Sequence, residues 1–274
     1  MGEAIGFIGA GQMGEPMVRR LLQANHHVLV YARRDEVRDR LANAGALLAD
    51  SVSDLARRSD ILISCLFSDD QLRAVGLGPE GLAANAKPGA VFVSHTTGNI
   101  STLTELAGTS RSTILDAPVS GTAEDIAAGT LTILVGGPPD AVQRVKPVLA
   151  AYADPIIATG ELGSALNIKL INNVLFAANS QLVAAAVEVG RRLGIDAEAL
   201  LAALSVCSAA SNAARYVQST GGVDAFANLA APFLRKDFAA AVAAAEEAGM
   251  DLGLLRSVVE NGPLGLTEQV SGAP

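Results

Sequence analysis

The order of apolar and polar positions divides the chain into a strand-and-helix half and an all-helical half. Before about residue 160, short apolar runs alternate with amphipathic stretches, which is the pattern of successive βαβ units. The predicted strands are Ala4–Ile8, Val28–Tyr31, Ala46–Ala49, Asp60–Leu66, Ala90–Val93, Ser112–Asp116 and Leu131–Val135. The pattern therefore predicts an α/β Rossmann-type domain over residues 1–162.

The second half begins with a long apolar helix. Ser164 is a suitable N-cap for a helix of about thirty residues. No charged residue occurs between Lys169 and Glu188, so this helix is expected to be buried. Further helices are predicted at Ala197–Leu204, Ser211–Gln218, Phe233–Gly249 and Leu252–Val259. We expect an all-α domain over residues 163–274, joined by the long interdomain helix, with a tail after Gly262 that frays.

Composition and charge narrow the class of protein. Half of the 274 residues are hydrophobic and the mean hydropathy is +0.36, but the longest uncharged segment, Leu170–Val187, carries several amide and hydroxyl side chains. This polar content argues against a membrane span. The net charge of −8 argues against nucleic-acid binding, so any anion site must be local. We expect a cytoplasmic protein because no targeting pattern is present, and we expect Cys65 and Cys207 to be buried free thiols.

A glycine-rich turn follows the first predicted strand and opens the first helix. It reads Gly-Ala-Gly-Gln-Met-Gly, and its three glycines have separate tasks. Gly9 permits the tight turn, Gly11 lets the backbone approach a pyrophosphate, and Gly14 lets the helix pack closely on the strand. Gln12 and Met13 complete the turn, where the helix N-terminus faces the negative charge. The turn therefore predicts a dinucleotide site.

The end of the second strand indicates which dinucleotide is bound. An NAD site places Asp or Glu here, whereas this chain has Ala32 followed by Arg33 and Arg34. Guanidinium groups can pair with a 2′-phosphate, so we predict NADP(H) in preference to NAD(H), with Arg33 the stronger candidate. One arginine could instead cap the next helix or pair with Asp35 or Glu36.

Three further positions lie at the ends of predicted strands. Leu66 and Thr97 are expected to line the cofactor site, since ligands bind at the carboxyl ends of parallel strands. His95 has no carboxylate or nucleophile at a recognisable spacing, so we assign it no catalytic role. We predict no metal site.

Two polar groups are candidates for substrate binding. Ser120, Gly121 and Thr122 stand at a strand-to-helix turn, where backbone N–H groups and two hydroxyls could hold an anion; an ordinary capped turn is the alternative. On the long helix, Lys169 and Asn173 are four residues apart and therefore share a face.

Four motifs in this order resemble those of the β-hydroxyacid dehydrogenases, which include 3-hydroxyisobutyrate dehydrogenase and the tartronate, glyoxylate and succinic semialdehyde reductases. They are Phe7–Met17, Asp116–Gly121 with Gly129–Leu131, Gly160–Asn173 and Lys236–Asp237. The resemblance implies interconversion of a short 3-hydroxy acid and its aldehyde or keto acid. It also implies a homodimer, or a dimer of dimers, formed by the helical domain.

The same resemblance implies a role for each candidate residue. Lys169 is the general acid and base, and Asn173 orients the substrate. The substrate carboxylate is held by Ser120, Gly121 and Thr122. Lys236 closes the site beside the nicotinamide and contacts both substrate and cofactor.

This sequence also departs from the family pattern. Thr122 replaces a glycine and is expected to narrow the pocket, Phe67 replaces a proline near the adenosine, and the chain stops at Pro274 in a sequence without a counterpart. An imine reductase is the alternative enzyme, although imine reductases generally lack the lysine on the long helix. A non-catalytic NADP-binding regulatory protein is the alternative outside enzymes.

Overall fold

The structure is a computed structural model, described for residues 2–267. The chain divides into two compact units, the first ending at Lys169 and the second beginning at Leu170. The first turn and a half of the long helix thus belongs with the sheet. The last part of the predicted tail, residues 268–274, lies outside the described residues.

A mostly parallel sheet forms the centre of the first unit. Its nine strands are β1 (Ile5–Ile8), β2 (Val28–Tyr31), β3 (Leu47–Leu48), β4 (Ile61–Ser64), β5 (Val91–Ser94), β6 (Thr113–Asp116), β7 (Val119–Ser120), β8 (Leu131–Gly136) and β9 (Ala153–Gly160). They lie in the order β3-β2-β1-β4-β5-β6-β8-β7, with β9 paired to β8. Pairing is parallel from β3 to β6 and between β8 and β9, whereas β8 is antiparallel to β6 and β7.

Helices connect these strands and confirm the predicted α/β class. They are α1 (Gly14–Gln23), α2 (Asp35–Asn43), α3 (Val52–Arg58), α4 (Asp69–Gly76), α5 (Leu82–Asn85), α6 (Ile100–Thr109), α7 (Ala123–Ala128) and α8 (Pro139–Leu149). β1, β4 and β5 are buried at every position, as parallel strands covered by helices on both faces must be. The apolar runs of the sequence correspond to these strands.

The second unit is helical, as predicted. The long helix α9 (Ser164–Arg192) leads into α10 (Ala197–Leu204), α11 (Asn212–Ser219), α12 (Val223–Glu247) and α13 (Leu254–Asn261). The predicted start of α12 at Phe233 is wrong, because the helix begins ten residues earlier and runs through Pro232. Phe226, Leu234 and Phe238 are buried along it at helical spacing, and their burial offsets the hydrogen bond that proline removes.

The beginning of the tail is packed, contrary to the expectation that it frays. Gln181, which is 1% exposed, donates to the Val259 carbonyl at 2.8 Å and accepts from the Leu264 N–H at 2.7 Å. Arg235 donates to the Gly265 carbonyl through two nitrogens, and Leu266 is buried in the core of the second unit. These contacts fasten the segment that follows α13.

The two cysteines differ in their exposure. Cys65 is partly buried and burial raises its thiol pKa to about 12, but Cys207 is exposed, so its predicted burial is wrong.

Among the described residues, α9 is long and apolar enough to cross a membrane, yet 56% of its most apolar window is buried inside the protein. Burial of that extent is typical of a core helix.

Candidate active site

The glycine-rich turn between β1 and α1 has the geometry that a dinucleotide requires. Gly9 has a φ of +95°, and a Cβ on it would stand 2.2 Å from the Cys65 carbonyl oxygen. A Cβ on Gly14 would stand 2.1 Å from the Gly9 carbonyl oxygen, so helix and turn are in close contact. A Cβ on Gly11 would meet nothing within 4 Å. The turn is therefore closed at its first and third glycines and open at the second, where a pyrophosphate would approach.

The ends of β4 and β5 complete this edge of the sheet. A Leu66 methyl carbon lies 3.0 Å from the position of a Cβ on Gly9, and the Leu66 N–H donates to the Thr96 hydroxyl at 3.2 Å. Thr97, the next residue, is partly buried. Leu66 thus lies beside the glycine turn, and Thr97 directly follows Thr96, whose hydroxyl joins the ends of β4 and β5.

Arg33 and Arg34 are exposed at the end of β2. Within residues 2–267 neither side chain has a hydrogen bond or an ion pair, and the side chain of Arg34 does not cap α2. Pairing with Asp35 or Glu36 is therefore not observed there. Arg34 lines a pocket of about 580 Å³ together with Gly11 and Gln12, whereas Arg33 does not line it. The structure thus brings Arg34, the weaker sequence candidate, to the glycine turn.

The turn that carries Ser120, Gly121 and Thr122 is a capped helix start. Ser120 is exposed at the end of β7, and Gly121 has a φ of +138°. The Thr122 N–H and hydroxyl both donate to the Asp125 carboxylate, at 2.7 and 3.1 Å, and Thr122 caps α7 in return. Thr122 therefore has its donors engaged within the chain, as in the capped-turn alternative. The sequence interpretation missed Asp125, although a Thr three residues before an Asp resembles a capping box.

A carboxylate from β6 caps the long helix. Asp116 is fully buried and accepts from the N–H groups of Gly163 and Leu166, both at 2.8 Å. The prediction that Ser164 is the N-cap is wrong, because Ser164 is the first helical residue and its hydroxyl contacts the Thr159 hydroxyl. The residue before it is a glycine, so a side chain from a neighbouring strand caps the helix.

The remaining candidates lie on α9 and α12. Lys169 is partly buried in the second turn of α9, and Asn173 follows one helical turn later and is 7% exposed. The Asn173 Oδ1 accepts from Asn172, but its Nδ2 is buried without a hydrogen-bond partner among the described residues. On α12, the exposed Lys236 lies 3.5 Å from the Asp237 carboxylate.

His95 forms a buried network. Its Nδ1 lies 2.5 Å from the Ala117 carbonyl and its Nε2 lies 2.8 Å from the Tyr152 hydroxyl. Burial lowers the pKa of His95 to about 4 and raises that of Tyr152 well above its ordinary value. A neutral imidazole that donates to Ala117 and accepts from Tyr152 satisfies all three groups. His95 thus fastens the ends of β5 and β6.

Comparison with known proteins agrees with the fold and the glycine turn. A family model for the NAD binding domain of 6-phosphogluconate dehydrogenase matches residues 4–160. A second, for the NAD-binding region of NADP-dependent 3-hydroxyisobutyrate dehydrogenase, matches residues 163–262. These matches define an NAD(P)-dependent hydroxyacid dehydrogenase. The chain belongs to the β-hydroxyacid dehydrogenase family, which confirms the resemblance seen in the sequence.

Individual relatives support this assignment. The NAD-dependent L-serine dehydrogenase of Pseudomonas aeruginosa is 33% identical over 72% of this chain and 67% of its own. The structure of Mycobacterium tuberculosis 3-hydroxyisobutyrate dehydrogenase with L-serine has a TM-score of 0.84 at 26% identity, over 95% of this chain and 92% of its own. An imine reductase from Myxococcus stipitatus shares the fold, with a TM-score of 0.63 at 20% identity over 95% of this chain and 92% of its own.

The His95 network predicts a loss of stability in mild acid. Because the folded pKa of about 4 is below the unfolded value of 6.5, the folded state resists protonation. Stability is then fully present above pH 6.5 and decreases as the pH falls toward 4, by about 2 kcal/mol between pH 6.5 and 5. Urea unfolding at several pH values should show this slope in the wild type and a flatter one in His95→Gln.

The carboxylates do not obscure this test. Pairing with Arg40 and Arg19 lowers the pKa of Glu15 to about 2, so its contribution is lost only below its unfolded value of 4.5. An equal slope for the two proteins between pH 6.5 and 5 would contradict the assignment.

Proposed function

We propose that this enzyme interconverts a short 3-hydroxy acid and its aldehyde or keto acid with NADP(H), using Lys169 as general acid and base. The observation that carries the proposal is on α9, where Lys169 is followed one turn later by a buried Asn173 amide whose Nδ2 has no partner among the described residues. A buried amide N–H without a partner costs free energy, and a substrate oxygen would satisfy it.

Each residue has a definite chemical task in this proposal. The dinucleotide, held at the Gly11 turn, supplies the hydride acceptor for oxidation and the hydride donor for reduction. Lys169 removes the hydroxyl proton during oxidation and returns it to the carbonyl oxygen during reduction. Asn173 donates to the same oxygen. The substrate carboxylate is held at Ser120 and Gly121.

Replacing the lysine tests the proposal. Lys169→Ala should lower kcat by a factor of at least about 100, the scale of losing a general acid–base, while the Kd for NADPH stays the same. Steady-state kinetics and fluorescence titration would measure the two effects. Lys146→Ala, which changes an exposed lysine on α8, is the matched control. A kcat near the wild-type value in Lys169→Ala would disprove the role.

The choice of dinucleotide rests on charge. Arg33 and Arg34 have no ion-pair partner within the described residues, and Arg34 lines the pocket at the glycine turn. A 2′-phosphate would give either guanidinium a charge-assisted, often bidentate contact. The name of the Pseudomonas relative points to NAD instead, so the family alone does not decide the question.

The cofactor proposal predicts the ratio of kcat/KM with NADPH to kcat/KM with NADH, and mutation of the arginines should change this ratio. The wild type should have a larger kcat/KM with NADPH than with NADH, by about tenfold to a hundredfold if one or two charged hydrogen bonds are made. Arg33→Ala with Arg34→Ala should reduce the ratio toward one, and the single variants would show which arginine contributes more. Arg111→Ala, also exposed in the first unit, should leave the ratio unchanged. A wild-type preference for NADH would refute the proposal.

Imine reduction remains the second candidate, and the fold likeness to an imine reductase is what favours it. Lys169 and Asn173 argue against it, because hydride addition to an iminium carbon gives an amine directly and forms no alkoxide for Lys169 to protonate or Asn173 to bind. Turnover of cyclic imines but not of aldehyde acids with NADPH would make imine reduction the first candidate function.

We further propose a homodimer formed through α9. Leu175, Leu182 and Val189 are spaced seven residues apart on this helix and are 47%, 55% and 55% exposed. A seven-residue spacing is about two helical turns, so the three side chains share a face, and exposed apolar side chains on one face indicate an interface. Two copies related by a two-fold axis would cover the same stripe on each other.

The dimer can be tested by mass. Light scattering should give twice the 27.9 kDa of one chain, and Leu182→Glu should give a monomer because a buried carboxylate at the interface lacks a partner. Leu47→Glu, at an exposed leucine on β3, is the control that should stay dimeric. A monomeric wild type would rule out this interface.

A further inference from the structure

The helix that follows the glycine turn begins without a side-chain cap. Met13 stands at the N-cap position of α1, and its side chain makes no hydrogen bond to the helix. Ser, Thr, Asp or Asn at this position would occupy one of the first N–H groups, whereas Met leaves them to a ligand. The start of a helix carries a partial positive charge, and in a dinucleotide site the cofactor pyrophosphate binds there.

Glu15 puts a second anion at the same helix start. It is the second residue of α1, and its N–H donates to the Gly11 carbonyl at 2.9 Å. Its side chain lines the pocket of about 580 Å³ that also reaches Gly11 and Gln12. A carboxylate in the first turn of a helix is ordinarily stabilised by the helix N-terminus. Here the pyrophosphate requires the same partial charge, so the two anions compete for it and repel each other.

Arg40 on α2 binds the Glu15 carboxylate at two points. Its Nη2 donates to Oε2 at 2.7 Å and its Nε donates to Oε1 at 3.2 Å. Arg19, one helical turn along α1, donates to Oε1 at 2.9 Å. Within residues 2–267 these two arginines are the partners of the Glu15 side chain, and pairing with Arg40 is the main cause that lowers its pKa to about 2. Glu15 is therefore ionised at neutral pH, with its charge bound to arginines instead of to the N–H groups of α1.

The contribution of this ion pair to stability is small. The side chain of Arg40 is 50% exposed, and ion pairs at a surface usually add little to the free energy of unfolding. Its place is more informative than its strength, because Arg40 and Glu15 both line the pocket that opens at the glycine turn. Loss of Arg40 would leave the carboxylate less neutralised beside the first N–H groups of α1.

We propose that Arg40 is a positioning residue for cofactor binding, which holds and neutralises a carboxylate, Glu15, that would otherwise oppose the cofactor pyrophosphate. Arg40 acts through Glu15 and not by contact with a phosphate. The inference uses the dinucleotide site of the family to which the chain belongs, and it holds for NADP(H) and NAD(H) alike.

A double-mutant cycle tests this mechanism, with the Kd for NADPH and for NADH measured by fluorescence titration. Arg40→Ala should weaken binding about threefold to tenfold, the effect of a unit charge roughly 8 Å from a phosphate near a surface. Glu15→Gln removes the opposing charge, so it should bind both cofactors at least as tightly as the wild type. The double variant has the same local net charge as the wild type and should recover the wild-type Kd.

Three controls separate charge compensation from a general loss of structure. Arg40→Lys keeps the charge and should retain most of the affinity. Arg144 also binds a carboxylate through two nitrogens, but its partner Glu3 precedes β1, at the edge of the sheet opposite the glycine turn. Arg144→Ala should therefore leave both Kd values unchanged. The defect of Arg40→Ala should shrink as salt is raised, because salt screens exposed charges.

The outcomes separate this inference from the cofactor preference proposed for Arg33 and Arg34. NADH has no 2′-phosphate, so an effect of Arg40→Ala confined to NADPH would assign Arg40 to that phosphate and overturn the inference. An unchanged Kd in Arg40→Ala would overturn it as well. A double variant that binds as weakly as Arg40→Ala would show that Arg40 acts without Glu15. Recovery in the double variant supports the inference whichever cofactor the wild type prefers.

Discussion

The buried carboxylate of Asp116 is the contact on which the geometry of the first unit depends. It accepts from the N–H groups of Gly163, just before α9, and Leu166 in its first turn, both at 2.8 Å, and leaving these buried donors unpaired would cost about 1–3 kcal/mol each. From β6 the chain reaches Ser120 four residues later, and from Leu166 the helix reaches Lys169 within one turn. One side chain therefore fixes the start of α9, and with it Lys169, relative to the strand that leads to Ser120.

The core of the fold follows from local patterns, and the errors arise where long-range packing overrides them. β1, β4 and β5 are buried on both faces, so unbroken apolar runs predicted them correctly. β9 was not predicted because most of its positions are exposed or half-buried and it contains a proline. The first ten residues of α12 were not predicted because Pro232 disfavours a helix. The packing that offsets the lost hydrogen bond of the proline cannot be read from the sequence.

In the candidate site, too, features within one short segment were predictable and long-range contacts were not. The glycine turn and the spacing of Lys169 and Asn173 were predictable because each lies within one short segment. The cap of α9 was not. Ser164 is the best local candidate for an N-cap, yet Asp116, far away in sequence, caps the helix because the strand end brings it there. At Thr122 the local alternative describes the hydrogen bonds better than the anion-binding interpretation, since a capping partner lay three residues ahead.

Charge is distributed unevenly over the first unit, and this distribution bears on both proposals. The net charge of −8 gives no long-range attraction for anions, so each anion must be bound by local groups. At the glycine turn four arginines and a single glutamate line the pocket, and two of these arginines, Arg19 and Arg40, pair with the glutamate. At the Ser120 turn the balance is reversed, with two carboxylates and engaged donors. The groups at each turn, and not the field of the whole protein, therefore decide whether an anion is attracted there.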